Sequence, residues 1–160
     1  YAGFADIYIP KDEWSDIINN LEKTGDESIL QKHSKKLNRS QLYDNEKFLQ
    51  DAFKSINLPK IVQFFSQSKN QLAHFALKKI RKNCPIAMTY TLEMLLRLTP
   101  KSRIEDALDL EYRFTSRAQE YGSFQEGIRA AIIDKDRKPK WQFEIDTVPQ
   151  EVIAEFFKPI

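Results

Sequence analysis

Residues Ser123–Trp141 read SFQEGIRAAIIDKDRKPKW. The stretch opens as a helix: Ser123 and Glu126 stand at the spacing where a hydroxyl and a carboxylate cap each other's backbone N–H groups. Phe124, Ile128, Ala131 and Ile132 then fall on one face. Gly127 lies inside that helix, where glycine costs up to about 1 kcal/mol against alanine; close approach of another element is the compensation expected there. Residues 134–140 bring two carboxylates and four cations, and Pro139 bars any continuation of the helix.

The flanking sequence is helical in the same way. Ser102-x-x-Glu105 is a second capping pattern and predicts a helix to about Tyr121, with Ala107, Leu110, Phe114 and Ala118 inward. Pro85 suits the first position of a helix running to Leu98 that is apolar nearly all round, so it should be the buried centre. Met88 and Met94 read there as gap-fillers. Over 70–82, Leu72, Phe75, Ala76 and Ile80 oppose Lys78, Arg81 and Lys82. Cations in a last helical turn favour a solvated flank over a nucleic-acid face. Phe48, Leu49, Ala52, Phe53 and Ile56 form another stripe, Ile61 to Phe65 a short one, and Val152, Ile153, Phe156 and Phe157 a last one. Nearer the start, Trp14, Ile17, Ile18 and Leu21 share one helical face. Residues 4–9 are the single strand candidate, stopped by Pro10, and the polar stretch 23–45 reads as a loosely ordered insert with a solvated His33. The fold class expected is therefore mainly α, with at most one short N-terminal strand.

Composition narrows function mostly by exclusion. The 160 residues carry 25 basic and 23 acidic side chains, a net +2 that gives no general pull toward nucleic acid or a membrane surface. Four glycines leave no phosphate-cradling loop, and no run of about 18 apolar residues is present to span a bilayer. A lone Cys84 argues for a reducing, cytoplasmic-type compartment and for a small packing or capping role; no metal-ligand spacing occurs. The sequence begins at Tyr1 without a polar tail and reads as a piece of a larger protein.

Residues 123–141 resemble the C-terminal signature of the 3-hydroxyisobutyryl-coenzyme A hydrolase branch of the crotonase (enoyl-CoA hydratase/isomerase) superfamily. Phe124, Glu126, Gly127, Arg129, Ala130, Ile133, Asp134, Lys135, Asp136, Pro139 and Trp141 fit that signature, with Ser123 in place of an Asp. Leu110-Glu-Tyr-Arg-Phe114, Cys84 to Leu92 and Ala2 to Pro10 resemble further family segments in the same order. The match is weakest over 23–45.

That resemblance implies a C-terminal helical cap and oligomerisation region spanning 1–160, belonging to an acyl-CoA thioester hydrolase of valine catabolism. The oxyanion hole and the catalytic carboxylates of such an enzyme lie upstream of these segments, so no catalytic residue is carried over and the chain alone is expected to be inactive. The implied partners are the N-terminal catalytic core of the same protein, further copies of the chain, and acyl-CoA as substrate; no cofactor is implied. The compartment would be cytoplasmic, or the mitochondrial matrix in a eukaryote. Lys135, Arg137 and Lys138 are the implied contacts to coenzyme A phosphates. Glu111, Arg113, Phe124, Glu126, Gly127, Asp134, Asp136 and Trp141 are read as structural, with Lys135 equally able to pair with Asp134 or Asp136. A hydratase or isomerase of the superfamily, or a non-catalytic helical interaction module derived from it, are the alternatives.

Overall fold

A computed structural model describes residues 3–37, 39–121 and 123–160. The chain divides into two compact units, Tyr1–Glu46 and Lys47–Ile160.

In the first unit a 3-10 turn, Lys11–Glu13, leads into α1 (Trp14–Thr24), which ends at Gly25 in the left-handed conformation, φ 66°. That conformation favours glycine and lets its N–H reach the Leu21 carbonyl at 2.8 Å. Only Ile17 of the predicted stripe is buried; Trp14 and Ile18 stay exposed. Residues 4–9 are not a strand, and no strand occurs among the described residues. A strand needs a neighbouring ladder, and here the Tyr8 carbonyl accepts just one such bond, from the Lys35 N–H at 2.9 Å. The stretch 23–45 holds two short helices, α2 (Ser28–His33) and α3 (Gln41–Asp44), while Asn38 lies outside the described residues. His33 is not merely solvated: its Nδ1 sits 2.6 Å from Glu13 Oε2, and Lys35 approaches the same carboxylate.

The second unit is built on two apolar clusters. The first joins α4 (Glu46–Ala52), α5 (Leu58–Ser66) and α6 (Gln71–Ile80) through buried Ala52, Ile61, Phe65, Ala73 and Leu77. Asn57 and Asn70 start α5 and α6 by accepting backbone N–H bonds from Lys60 and Leu72. The second gathers Ile86 and Tyr90 of α7 (Pro85–Arg97) with Ile153 and Phe156 of α10 (Gln150–Phe157). Phe114 of α8 (Ile104–Arg117) packs onto that cluster. Leu92 faces the first cluster, so α7 is the wall common to both. It is not buried all round, however: Leu95 and Leu96 are more than half exposed.

Helix α8 does not start at the Ser102 capping pattern. Ser102 Oγ instead accepts from the Thr99 N–H within a turn, and Asp106 takes the carboxylate role by accepting from the Arg103 N–H at 2.7 Å. The helix after it is α9 (Ser123–Ile128), which widens into a π-helical turn at Arg129–Ile133. The Asp134 N–H closes that turn on the Arg129 carbonyl at 2.8 Å.

Candidate functional site

Arg129 organises the segment that follows it. Its Nε and Nη2 donate to the two Glu126 oxygens at 2.9 and 2.8 Å, a fork-to-fork pair. Its Nη1 donates to Asp134 and to Asp136, and Nη2 donates again to the Lys138 carbonyl at 3.1 Å. A guanidinium has five N–H donors; these bonds use all of them. Glu126 also accepts from the Lys140 N–H, and Asp136 from the Lys138 N–H. The chain from 134 to 140 is thus wound around one cation. Glu126 is thereby drawn away from the reciprocal cap with Ser123 that the sequence suggests.

The winding bends the backbone into an uncommon shape. Lys135 and Arg137 both have positive φ, 56° and 54°, although neither is glycine. Each such residue costs about 1 kcal/mol or more and persists only where neighbours dictate it. Asp134 and Asp136 face Arg129, so they do not pair with Lys135; its ammonium and the Arg137 guanidinium form no ion pair among the described residues. The Arg137 N–H donates to the Ala130 carbonyl at 2.9 Å, which fixes the backbone and leaves the side chain outward.

These contacts set the acid response of the loop. The Arg129 hydrogen bonds, with the Lys140 N–H, hold the Glu126 carboxyl down at about 2, against 4.5 ordinarily. The Lys138 N–H, then Arg129, lower Asp136 as well. Because folding depresses both groups, their contribution is complete above the ordinary carboxylate range and fades as pH falls toward about 2. A W14F variant, whose emission comes from Trp141 alone, is expected to change fluorescence between about pH 4.5 and 2. Glu126→Gln should remove most of that step; a flat signal in the parent would contradict it.

The remaining residues singled out from sequence divide as follows. Gly127 meets no foreign backbone; a Cβ there would lie 3.7 Å from the Trp141 ring, an ordinary contact. Trp141 also closes an open apolar groove of about 600 Å³ with Phe53, Leu58, Phe65, Met88 and Leu92, and its Nε1 is buried without a partner among the described residues. Phe124 is exposed. Arg113 joins α8 to α10 by donating to the Phe157 carbonyl at 2.8 Å, while its ion pair with Asp109 at 2.6 Å stays within α8 and its neighbour Glu111 is exposed. Sequence reading missed Arg129 as the centre and Arg117, whose Nη2 holds the Pro159 carbonyl at 2.9 Å. Three acids within ten residues of one arginine were the available signal for the first. Among the described residues, no group of three His, Cys, Asp or Glu side chains could hold a metal ion, and no helix is long and apolar enough to cross a membrane.

Comparison with known proteins bears on this arrangement. The family model for enoyl-CoA hydratase/isomerase matches residues 1–157. The mitochondrial 3-hydroxyisobutyryl-CoA hydrolase of Rattus norvegicus is 30% identical over 113 residues, covering 70% of this chain and 29% of that protein. The mitochondrial 3-hydroxyisobutyryl-CoA hydrolase of Homo sapiens is 29% identical over 133 residues, covering 82% and 31%. A crystal structure of an enoyl-CoA hydratase from Rhodobacter sphaeroides superposes with a TM-score of 0.86 at 40% identity, covering 99% of this chain and 46% of that one. The chain therefore spans about a third of the length of these curated relatives and under half of the solved one. With its helical fold superposing on 46% of that solved chain and a family model matched from residue 1 to 157, the chain belongs to the enoyl-CoA hydratase/isomerase, or crotonase, family and is related to the 3-hydroxyisobutyryl-CoA hydrolases.

Proposed function

We propose that this chain is the C-terminal helical part of a coenzyme A thioester hydrolase acting on 3-hydroxyisobutyryl-CoA in valine breakdown, housed in the mitochondrial matrix if the source is eukaryotic. Support comes from the likeness to the 3-hydroxyisobutyryl-CoA hydrolases and from the Ile133-Asp-Lys-Asp136 ending, wound here around Arg129. In this reading thioester cleavage belongs to an oxyanion hole and carboxylates outside the 160 residues. Such a hole works by aiming fixed N–H dipoles at the oxygen where charge develops.

The helical part would contribute cover and charge. Lys135, Arg137 and Lys138 form a cationic rim for the phosphates of coenzyme A, with no cofactor involved. The exposed stripe Ile104, Leu108 and Tyr112 on α8 would seat against the catalytic core or another copy. The observation that carries the reading is the pair of outward cations at Lys135 and Arg137, left unneutralised while the neighbouring acids face Arg129.

The Rhodobacter sphaeroides structure, the more identical of the matches above, favours a second reading: an enoyl-CoA hydratase of the same family. Assays separate the two. The polypeptide that carries this chain should release free thiol from 3-hydroxyisobutyryl-CoA, whereas hydration of an enoyl-CoA without thiol release would select the second. The 160 residues alone should release none; turnover by them would overturn the division of labour.

A further inference from the structure

We propose that Arg129 is a positioning residue for anion binding: it touches no ligand itself but holds the loop that presents Lys135 and Arg137. The proposal rests on the reading of those cations as contacts to coenzyme A phosphates.

The hydrogen-bond inventory leaves Arg129 no other part. All five of its N–H donors are committed to Glu126, Asp134, Asp136 and the Lys138 carbonyl, so its guanidinium has nothing to offer a phosphate. Its three carboxylate partners would otherwise compete for the loop cations. Turned inward, Asp134 and Asp136 leave Lys135 and Arg137 without an ion pair among the described residues.

The backbone carries the same message. Positive φ at residues 135 and 137 places two non-glycine residues in the left-handed region, one on each side of Asp136. Such a shape is kept only where neighbours over-determine it. Asp136 is the side-chain determinant, beside the Arg137 N–H bond to the Ala130 carbonyl: one oxygen accepts from Arg129 and the other from the Lys138 N–H. Releasing Asp136 from Arg129 should therefore relax both left-handed residues and scatter their side chains. The site would then keep its charge and lose its geometry.

Asp136→Asn makes the test sharp, because charge and geometry predict opposite signs. Counting charge alone, removal of a carboxylate beside the cations should tighten an anion. Positioning predicts that coenzyme A binds the full polypeptide about fivefold more weakly, the size of an exposed charge contact or two. Arg129→Lys, which keeps the charge and loses the fork, should do the same. Both variants should also flatten the salt dependence of binding, as direct removal of the cations in a K135A/R137A variant would. A merely structural effect would lower the melting temperature and leave that slope alone. Titration calorimetry with coenzyme A over a salt series reads the affinity and the slope, and a thermal scan of each variant reads the melting temperature. If Lys135→Ala with Arg137→Ala leaves affinity untouched, the phosphates bind elsewhere, and both the site reading and the inference fall. If that double variant weakens binding while Asp136→Asn and Arg129→Lys bind as the parent or tighter, the site stands and the positioning role is overturned.

Discussion

Phe156→Ala is expected to destabilise the second unit by about 4–5 kcal/mol, the upper part of the range for deleting a buried aromatic ring. Phe156 is 1% exposed. Its ring centroid lies 4.8 Å from those of Phe114 and Tyr121, and 5.9 Å from that of Tyr90. Those neighbours are themselves fixed. Tyr90 donates its hydroxyl to the Leu110 carbonyl at 2.6 Å, and Phe157 stacks on Tyr90 beneath the Arg97 guanidinium. Rings so tied collapse poorly into a void, which keeps the cavity cost high. Urea unfolding measures it, with Ile160→Ala, a change at an exposed residue, as the control expected within about 0.5 kcal/mol of the parent. A loss below about 2 kcal/mol would mean that the cluster repacks freely.

Phe65→Ala should cost less, about 3 kcal/mol, although Phe65 is nearly as buried at 3%. Its ring stacks on Phe48 at 5.8 Å over Ala73, which is fully enclosed. The difference is that Phe65 also lines the open groove beside Leu58 and Trp141. The space left by its ring would join that groove, where water and mobile side chains can fill it, so part of the cavity penalty is relieved. The two clusters share no buried member. The losses should therefore add to within about 0.5 kcal/mol in the double variant. A larger departure would show that α7, which borders both clusters, transmits strain from one to the other. A Phe65→Ala loss equal to or above that of Phe156→Ala would contradict the relief by the groove.

Most helices were legible because burial leaves a periodic trace. The stripe of Val152, Ile153, Phe156 and Phe157 places α10, and Pro85 marks the start of α7. What the trace cannot show is which polar partner wins a local competition. Glu126 fits a cap for Ser123 by spacing, yet Arg129 lies one turn further on and offers two parallel charge-assisted bonds. Asp106 displaced Glu105 at the head of α8 in the same way, by fitting the Arg103 N–H. Residues 4–9 carry strand-forming side chains, but pattern alone does not supply a neighbouring strand. The exposed cations were legible as composition, from the run of charge after Ile133. Its geometry was not, because positive φ at Lys135 and Arg137 follows from contacts reaching back to Arg129 and Ala130.

The π-helical turn at Arg129–Ile133 has a genealogical reading. Such a turn lodges one surplus residue inside a helix without unravelling either flank. Deleting one residue there would restore the tighter winding and leave everything after it at nearly its present angle, whereas the same deletion in a regular helix would swing it by about 100° around the axis. A relative that runs straight through this point should accordingly be aligned with a one-residue gap between 129 and 134, its own terminal loop still leaving toward the same quarter of the surface.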